Sequence, residues 1–284
     1  MNIKKILLSG AAATLLAIGT SAQPIQTPSR YTFAGQTVNL TREDMFERMD
    51  REIITFTFMH TTSILMLKRS GIYFPIVEPI LKEYGLPDDL KYIMVIESNL
   101  DPNARSSAGA AGLWQLMQAT AREKGLEVNA NVDERYHVEK ATRAACRIFK
   151  ESYEKYGDWL TVAAAYNAGQ GGISRRLDEQ HEEKATDLYL TEETSRYMFR
   201  VMAAKMMFED PKAFGFDVPA SAKYRRNPPK DIVVTTNEIA NLMDFAKEHG
   251  VSYYALKKEN LWLRESKLNN ASHRTYRITI PDIR

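Results

Sequence analysis

Apolar residues recur at near-helical spacing through Met45, Met49, Ile53, Phe56, Phe58, Ile64 and Leu67, which predicts a long helix from about Thr41 to Arg69. Thr41 is the expected N-cap. Ile72 to Tyr84 reads as a second helix, stopped by Gly85. Leu86-Pro87-Asp88-Asp89 marks another start, with proline early and acids in the first turn. Then Ile93-Met94-Val95-Ile96 leads straight into one carboxylate, Glu97. Asn99, Asp101-Pro102-Asn103 and Ser106-Ser107 are turn formers, and a residue before proline leaves the α region. Glu97 is therefore expected at the C-terminal end of a helix of roughly three turns.

Small residues from Ala108 to Gly112 allow close backbone approach, and Leu113 to Met117 reads as a helix start that Gly125 ends. Val138 to Tyr156 is a further helix, closed by Gly157. Trp159 to Ala168 is apolar on most faces and is expected at the centre of the core, with Gly169, Gly171 and Gly172 breaking it. Glu192 to Glu209 is the last long helix. Nothing before residue 215 alternates as strands do, so this part is expected to be all-α. After Pro228-Pro229 the pattern changes. Ile232 to Thr235 and Tyr276 to Ile280 read as strands, and Asn237 to His249 and Tyr253 to Asn260 as helices between them. The expected fold class is mainly α, with a small β-α-α-β module at the end.

The start is of another kind. Lys4 and Lys5 precede an apolar run from Ile6 to Ile18, and Thr20-Ser21-Ala22 is a small-residue cleavage site before Gln23. That is the layout of a secretory signal peptide, too short for a spanning helix. No cysteine directly follows the run, which disfavours a lipid anchor, and no later segment is apolar enough to span a bilayer. The expected organisation is 1–22 signal peptide, 23–40 polar leader, 41–215 main helical domain, 216–230 linker and 231–284 terminal module. The chain is expected to be exported, with the periplasm as destination.

The exported part carries no net charge, but residues 219–284 hold 12 Lys+Arg against 7 Asp+Glu. That excess suits an anionic polymer or a solvated surface equally. Nothing implies nucleic acid. Cys146 is the one cysteine, so no internal disulfide forms, and its helical setting reads as a small buried residue. His60, His137, His181, His249 and His273 lack metal-ligand spacing, and no metal or cofactor is implied.

Glu97 carries the chemistry. Apolar surroundings and the negative end of a helix dipole both disfavour its charged form. A carboxylic acid kept protonated near neutral pH is a general acid. The local stretch is equally consistent with an ordinary exposed glutamate. Downstream, Gly112-Leu113-Trp114-Gln115-Leu116-Met117 and Ala164-Ala165-Tyr166-Asn167-Ala168-Gly169 follow Glu97-Ser98 in fixed order. Together these resemble the lytic transglycosylase domain of the goose-type-lysozyme-like superfamily, over roughly residues 75–210. Val132-Asp133-Glu134-Arg135 and Glu193-Thr194-Ser195-Arg196-Tyr197 resemble the membrane-bound lytic murein transglycosylase D group.

The resemblance implies a lysozyme-like fold and a substrate, the glycan strands of peptidoglycan. It implies cleavage between N-acetylmuramic acid and N-acetylglucosamine, leaving 1,6-anhydromuramyl ends. It places Glu97 as acid and base, and Ser106, Gln115, Met117, Tyr166, Asn167 and Tyr197 along the substrate. Each partner has a plainer reading: Trp114, Met117 and Tyr166 as core, Gln115 and Asn167 as helix-end residues, Ser106 as a turn residue. The tail resembles a lysin motif (LysM) through Ile239, Leu242, Phe245-Ala246, Leu256, Asn260 and Ile280-Pro281, but Thr235-Thr236-Asn237-Glu238 stands where a glycine-aspartate turn is usual. The module either binds glycan or docks on the catalytic domain as a structural appendage. Two rival functions are a hydrolase on the same scaffold, with Asp133 or Glu134 as second acid, and a non-catalytic peptidoglycan-binding protein.

Overall fold

The computed structural model describes residues 25–282. The expected signal peptide, residues 1–22, lies outside the described residues. The first elements are two short antiparallel strands, β1 (Arg30–Phe33) and β2 (Gln36–Asn39), with Arg30 opposite Asn39. They fall where a loose polar leader was expected, ahead of the helical domain. Four residues per strand give too little alternation to read, and Phe33 is the one fully buried side chain among them. Ala34 and Gly35 both have positive φ, as a two-residue turn matched to strand twist requires. The hairpin is tied down: the Ala34 amide donates to Asp89 at 2.7 Å, and the Trp159 amide to Gln36 at 2.7 Å.

Helices α1 (Glu43–Phe58) and α2 (His60–Glu83) follow. The break falls at Met59, not near Arg69, and α2 runs on through Gly71, Pro75 and Pro79. Gly71 serves a contact: a Cβ there would overlap the carbonyl oxygen of Tyr224 in the linker. A 3-10 turn at Asp88–Leu90 leads into α3 (Lys91–Ser98). The helix expected to start within residues 113–117 begins later, as α4 (Gln118–Glu123), because turns occupy the preceding stretch. Then come α5 (Val138–Tyr156), α6 (Trp159–Ala168), α7 (Gln170–Gln180) and α8 (Glu192–Glu209). Only Gly169, at φ +83, interrupts the chain; Gly171 and Gly172 lie inside α7.

Helix α6 is buried from Trp159 to Ala165. Asp158 caps it by accepting from the Thr161 amide at 2.8 Å. The small Ala163, Ala164 and Ala165 let α5 and α8 pack against it. Cys146 is fully buried on α5. Among the described residues, no helix is long and apolar enough to cross a membrane.

The terminal module has β3 (Asp231–Thr235) and β4 (Tyr276–Ile280) paired antiparallel, with α9 (Leu242–Glu248) and α10 (Tyr253–Glu259) between them. Helix α9 starts later than Asn237 because Asn241 caps it, accepting from the Met243 and Asp244 amides. The module's apolar cluster is completed by Ala111, Val132 and Tyr136 of the helical part. Asn131 to Asp133 runs antiparallel to Trp262 to Arg264: the Arg264 amide donates to the Asn131 carbonyl at 2.8 Å, and the Asp133 amide to the Trp262 carbonyl at 2.9 Å. A cavity of about 640 Å³ lies beside this junction, lined in part by Tyr73, His137, Arg225, Tyr254 and Trp262. The docked arrangement, one of the two alternatives raised by the sequence, is present.

Candidate active site

Glu97 is the penultimate residue of α3. Ile93, Met94 and Val95 anchor that helix in the core, all fully buried. Beyond Ser98 the chain takes two left-handed residues in succession, Asn99 (φ 51) and Leu100 (φ 56). Asparagine tolerates this conformation, but leucine pays roughly 1–2 kcal/mol there, offset by full burial of Leu100. The double turn sends the chain back along the helix end. Asp101, Ala104, Arg105 and Ser106 thereby line the same cavity as Glu97, of about 470 Å³. Thr62, Leu65 and Arg69 of α2 form another wall, and Gln115 closes a further side.

The electrostatics of Glu97 follow from its neighbours. Burial pushes its carboxyl up to about 7, aided by the negative charge of Glu193. The Tyr197 hydroxyl and the Arg200 charge act the other way and favour the carboxylate. Tyr197 is buried on α8 and donates its hydroxyl to Glu97 Oε1 at 2.5 Å. Burial and the adjacent Glu97 hold that phenol well above its ordinary range, so it stays a donor. Glu97 is therefore a carboxyl able both to give and to take a proton near neutrality.

Glu97, Ser106 and Gln115 come together at the cavity. The Ser106 Oγ also serves its turn, accepting from the Ala110 amide at 3.0 Å. Gln115 has φ 45, a left-handed value, and its Nε2 donates to the carbonyls of Ala104 and Gly112 at 3.0 and 2.8 Å. Tyr166 donates its hydroxyl to the Trp114 carbonyl at 2.7 Å, and its phenol feels the Glu97 charge. Asn167 accepts from Thr194 Oγ1 at 2.9 Å, which links α6 to α8. Asn167 and Met117 do not line the 470 Å³ cavity; Met117, the residue before α4, is 46% exposed. Trp114 is fully buried, its Nε1 donating to Thr142 at 2.9 Å, so the core reading holds for it.

Arg69, Thr62, Leu65, Arg105 and Arg200 were missed by sequence reasoning. Arg69 is held at the cavity by donating to the Asn99 carbonyl at 3.1 Å. It lies on a helix with no local motif, and tertiary packing alone brings it there. Asp101 is the other carboxylate lining the cavity. Its Oδ1 accepts from the Asn103 amide at 3.0 Å, closing its own turn as that local sequence predicts. Among the described residues, no group of three or more His, Cys, Asp or Glu is placed to hold a metal.

A helical domain with one half-buried, proton-holding glutamate at a helix end is the architecture of the lysozyme-like class. Residues 75–189 match the transglycosylase SLT domain family, and residues 230–284 match the soluble lytic transglycosylase C-terminal LysM-like domain. The chain thus carries an SLT transglycosylase domain followed by a LysM-like domain. It is 31% identical over 193 residues to membrane-bound lytic murein transglycosylase D of Escherichia coli strain K12, covering 66% of this chain and 42% of that one. It is 34% identical over 113 residues to peptidoglycan transglycosylase gp16 of Escherichia phage T7, covering 39% of this chain and 8% of that one. An X-ray structure of an inactive mutant of lytic transglycosylase Slt from Pseudomonas aeruginosa aligns over 49% of this chain and 24% of that one, with TM-score 0.42 and 25% identity. The chain spans about two fifths of the length of the membrane-bound relative.

Proposed function

We propose that this protein is an exported peptidoglycan lytic transglycosylase with Glu97 as its acid and base. The observation that carries the reading is the carboxyl of Glu97, pushed up to about 7 and bound by Tyr197 beside an open cavity. Protonated Glu97 gives its proton to the glycosidic oxygen, and the bond from that oxygen to the muramyl C1 breaks. The muramyl 2-acetamido group shields the positive charge at C1. Glu97, now a carboxylate, takes the proton of the C6 hydroxyl while O6 bonds to C1. No water enters, and Glu97 ends as it began. Holding O6 near C1 within one sugar replaces a bimolecular encounter.

Tyr197 favours the carboxylate midway through this cycle, and Gln115, Ser106 and Arg69 offer polar contacts along the wall. Tyr166, bonded to the Trp114 carbonyl, and Asn167, bonded to Thr194, stand behind the cavity wall, and the exposed Met117 is left for longer substrate to reach. The signal-peptide pattern at residues 1–22 supports export to the periplasm for wall remodelling or turnover.

A hydrolase would need a second carboxylate to activate water. The two candidates raised above are otherwise engaged. Asp133 is buried and paired with Arg135 at 2.7 Å. Glu134 is buried, accepts from the Glu127 amide at 2.8 Å and pairs with Lys140. A pure binder has no use for a carboxyl held near 7. Release of soluble fragments from insoluble peptidoglycan tests this: Glu97→Gln should abolish release while still sedimenting with the polymer. Equal release by both proteins would sink the assignment of Glu97.

A further inference from the structure

We propose that the LysM-like domain is a positioning element of the Glu97 site, acting through Arg135; the proposal rests on the transglycosylase reading above. The domain pairs a short extended segment with the helical part through one antiparallel β-bridge, Trp262 to Arg264 along Asn131 to Asp133. Asn131 fastens the junction. Its Nδ2 donates to the Lys267 carbonyl at 2.8 Å and to Glu265 at 3.0 Å, and its Oδ1 accepts from the Asn269 amide at 2.9 Å.

This segment fixes Asp133, and Asp133 holds Arg135. Arg135 Nε and Nη2 donate to the two Asp133 oxygens at 2.9 and 2.7 Å, both residues buried. The remaining nitrogen, Nη1, donates to the carbonyls of Gly109 and Leu116 at 2.8 and 3.1 Å. Those carbonyls bracket the loop that carries Gln115 into the cavity. Gly112, at φ +75 within that loop, seats directly on the Arg135 carbonyl, where a Cβ would overlap it. Ala111 of the same loop belongs to the apolar cluster of the LysM-like domain. The domain therefore grips the loop twice, once by packing and once through Arg135. Gln115 needs the grip, since a left-handed non-glycine conformation persists only where surroundings over-determine it. A planar guanidinium can span Asp133 and two carbonyls at once; an ammonium cannot.

A positioning role acts on every substrate, whereas a tether to the wall acts on long ones. The test compares wild type, Arg135→Lys and Asn131→Ala as full chains. Each is assayed on a soluble tetrasaccharide fragment of peptidoglycan and on whole peptidoglycan. Both variants should lower kcat about tenfold or more on both substrates, as loss of alignment does. KM should change little, and the fall in rate near pH 7 should stay where it is. Arg135→Lys keeps a charge beside Asp133, so its result stands if Asn131→Ala unfolds. Unchanged kcat on the fragment for Arg135→Lys, with slower cleavage of whole peptidoglycan only, would overturn the proposal in favour of a tether. Loss matching the unfolded fraction alone would overturn it in favour of a purely structural junction. If Glu97→Gln stays active, the failure lies in the reading of the site and not in the positioning.

Discussion

Glu97 sets two pH dependences that run in the same window. Its ordinary value of 4.5 becomes about 7 in the folded protein. Between those values the folded chain holds a proton that the unfolded chain releases. Stability therefore falls as pH rises from about 4.5 to about 7, and is flat above. Glu97→Gln removes that loss, so the variant should gain on wild type across this window, by at most about 3 kcal/mol. Urea denaturation at several pH values checks this; a constant difference would contradict it. In the proposed mechanism cleavage starts from protonated Glu97, so the rate should fall as pH rises through about 7. Tyr197→Phe removes a donor that favours the carboxylate. It should move that fall to higher pH and lower kcat about tenfold, in line with a hydrogen bond to a charged group. A pH profile at the ordinary position would show that the hydroxyl does not tune Glu97. Asp101→Asn should leave activity within a few-fold of wild type, because Asp101 serves its own turn. At this scale the sequence was most legible: an apolar run into one glutamate before a proline turn suits a raised pKa, although that stretch alone fits an exposed glutamate equally well. Tyr197 was found only through family resemblance, since one hundred residues separate it from Glu97.

The elements carried more surprises than the residues. Helices α5, α6 and α8 match their sequence signals: α5 through an apolar stripe closed by Gly157, α6 through an apolar run capped by Asp158, and α8 through its length. The hairpin at residues 30–39 did not, since strands this short carry little pattern. Gly71 and Gly112 show why glycine alone misleads. Each is present because another segment's carbonyl occupies the space of a Cβ, and no local rule reveals that segment. Gly112→Ala should therefore destabilise the protein by about 2 kcal/mol or more, combining strain at φ +75 with a clash on Arg135. Thermal unfolding measures it, and a neutral effect would show that the loop can detach from Arg135. The 99–106 return was legible as turns, but the loop around Gln115 read as a helix start, and only the family resemblance put Ser106 and Gln115 at one site. Their strained residues, Leu100 and Gln115, are set by tertiary contacts that local propensity opposes.

At the scale of the molecule, the LysM-like domain shares its apolar cluster with Ala111, Val132 and Tyr136. The β-α-α-β order was readable, and docking was one of two alternatives; the contacts that make it, from Val132, Tyr136, Asn131 and Glu127 to the module, carry no local signal in the sequence. A shared core predicts one cooperative unfolding transition for the whole chain, and two separated calorimetric transitions would contradict it. The chemistry proposed for Glu97 is non-hydrolytic. Mass spectrometry of purified peptidoglycan digested by wild type beside Glu97→Gln separates it from hydrolysis. Wild type should give products lighter by one water than hydrolysed muropeptides, and the variant none. Products with full reducing ends would contradict it and assign a hydrolase to the same fold.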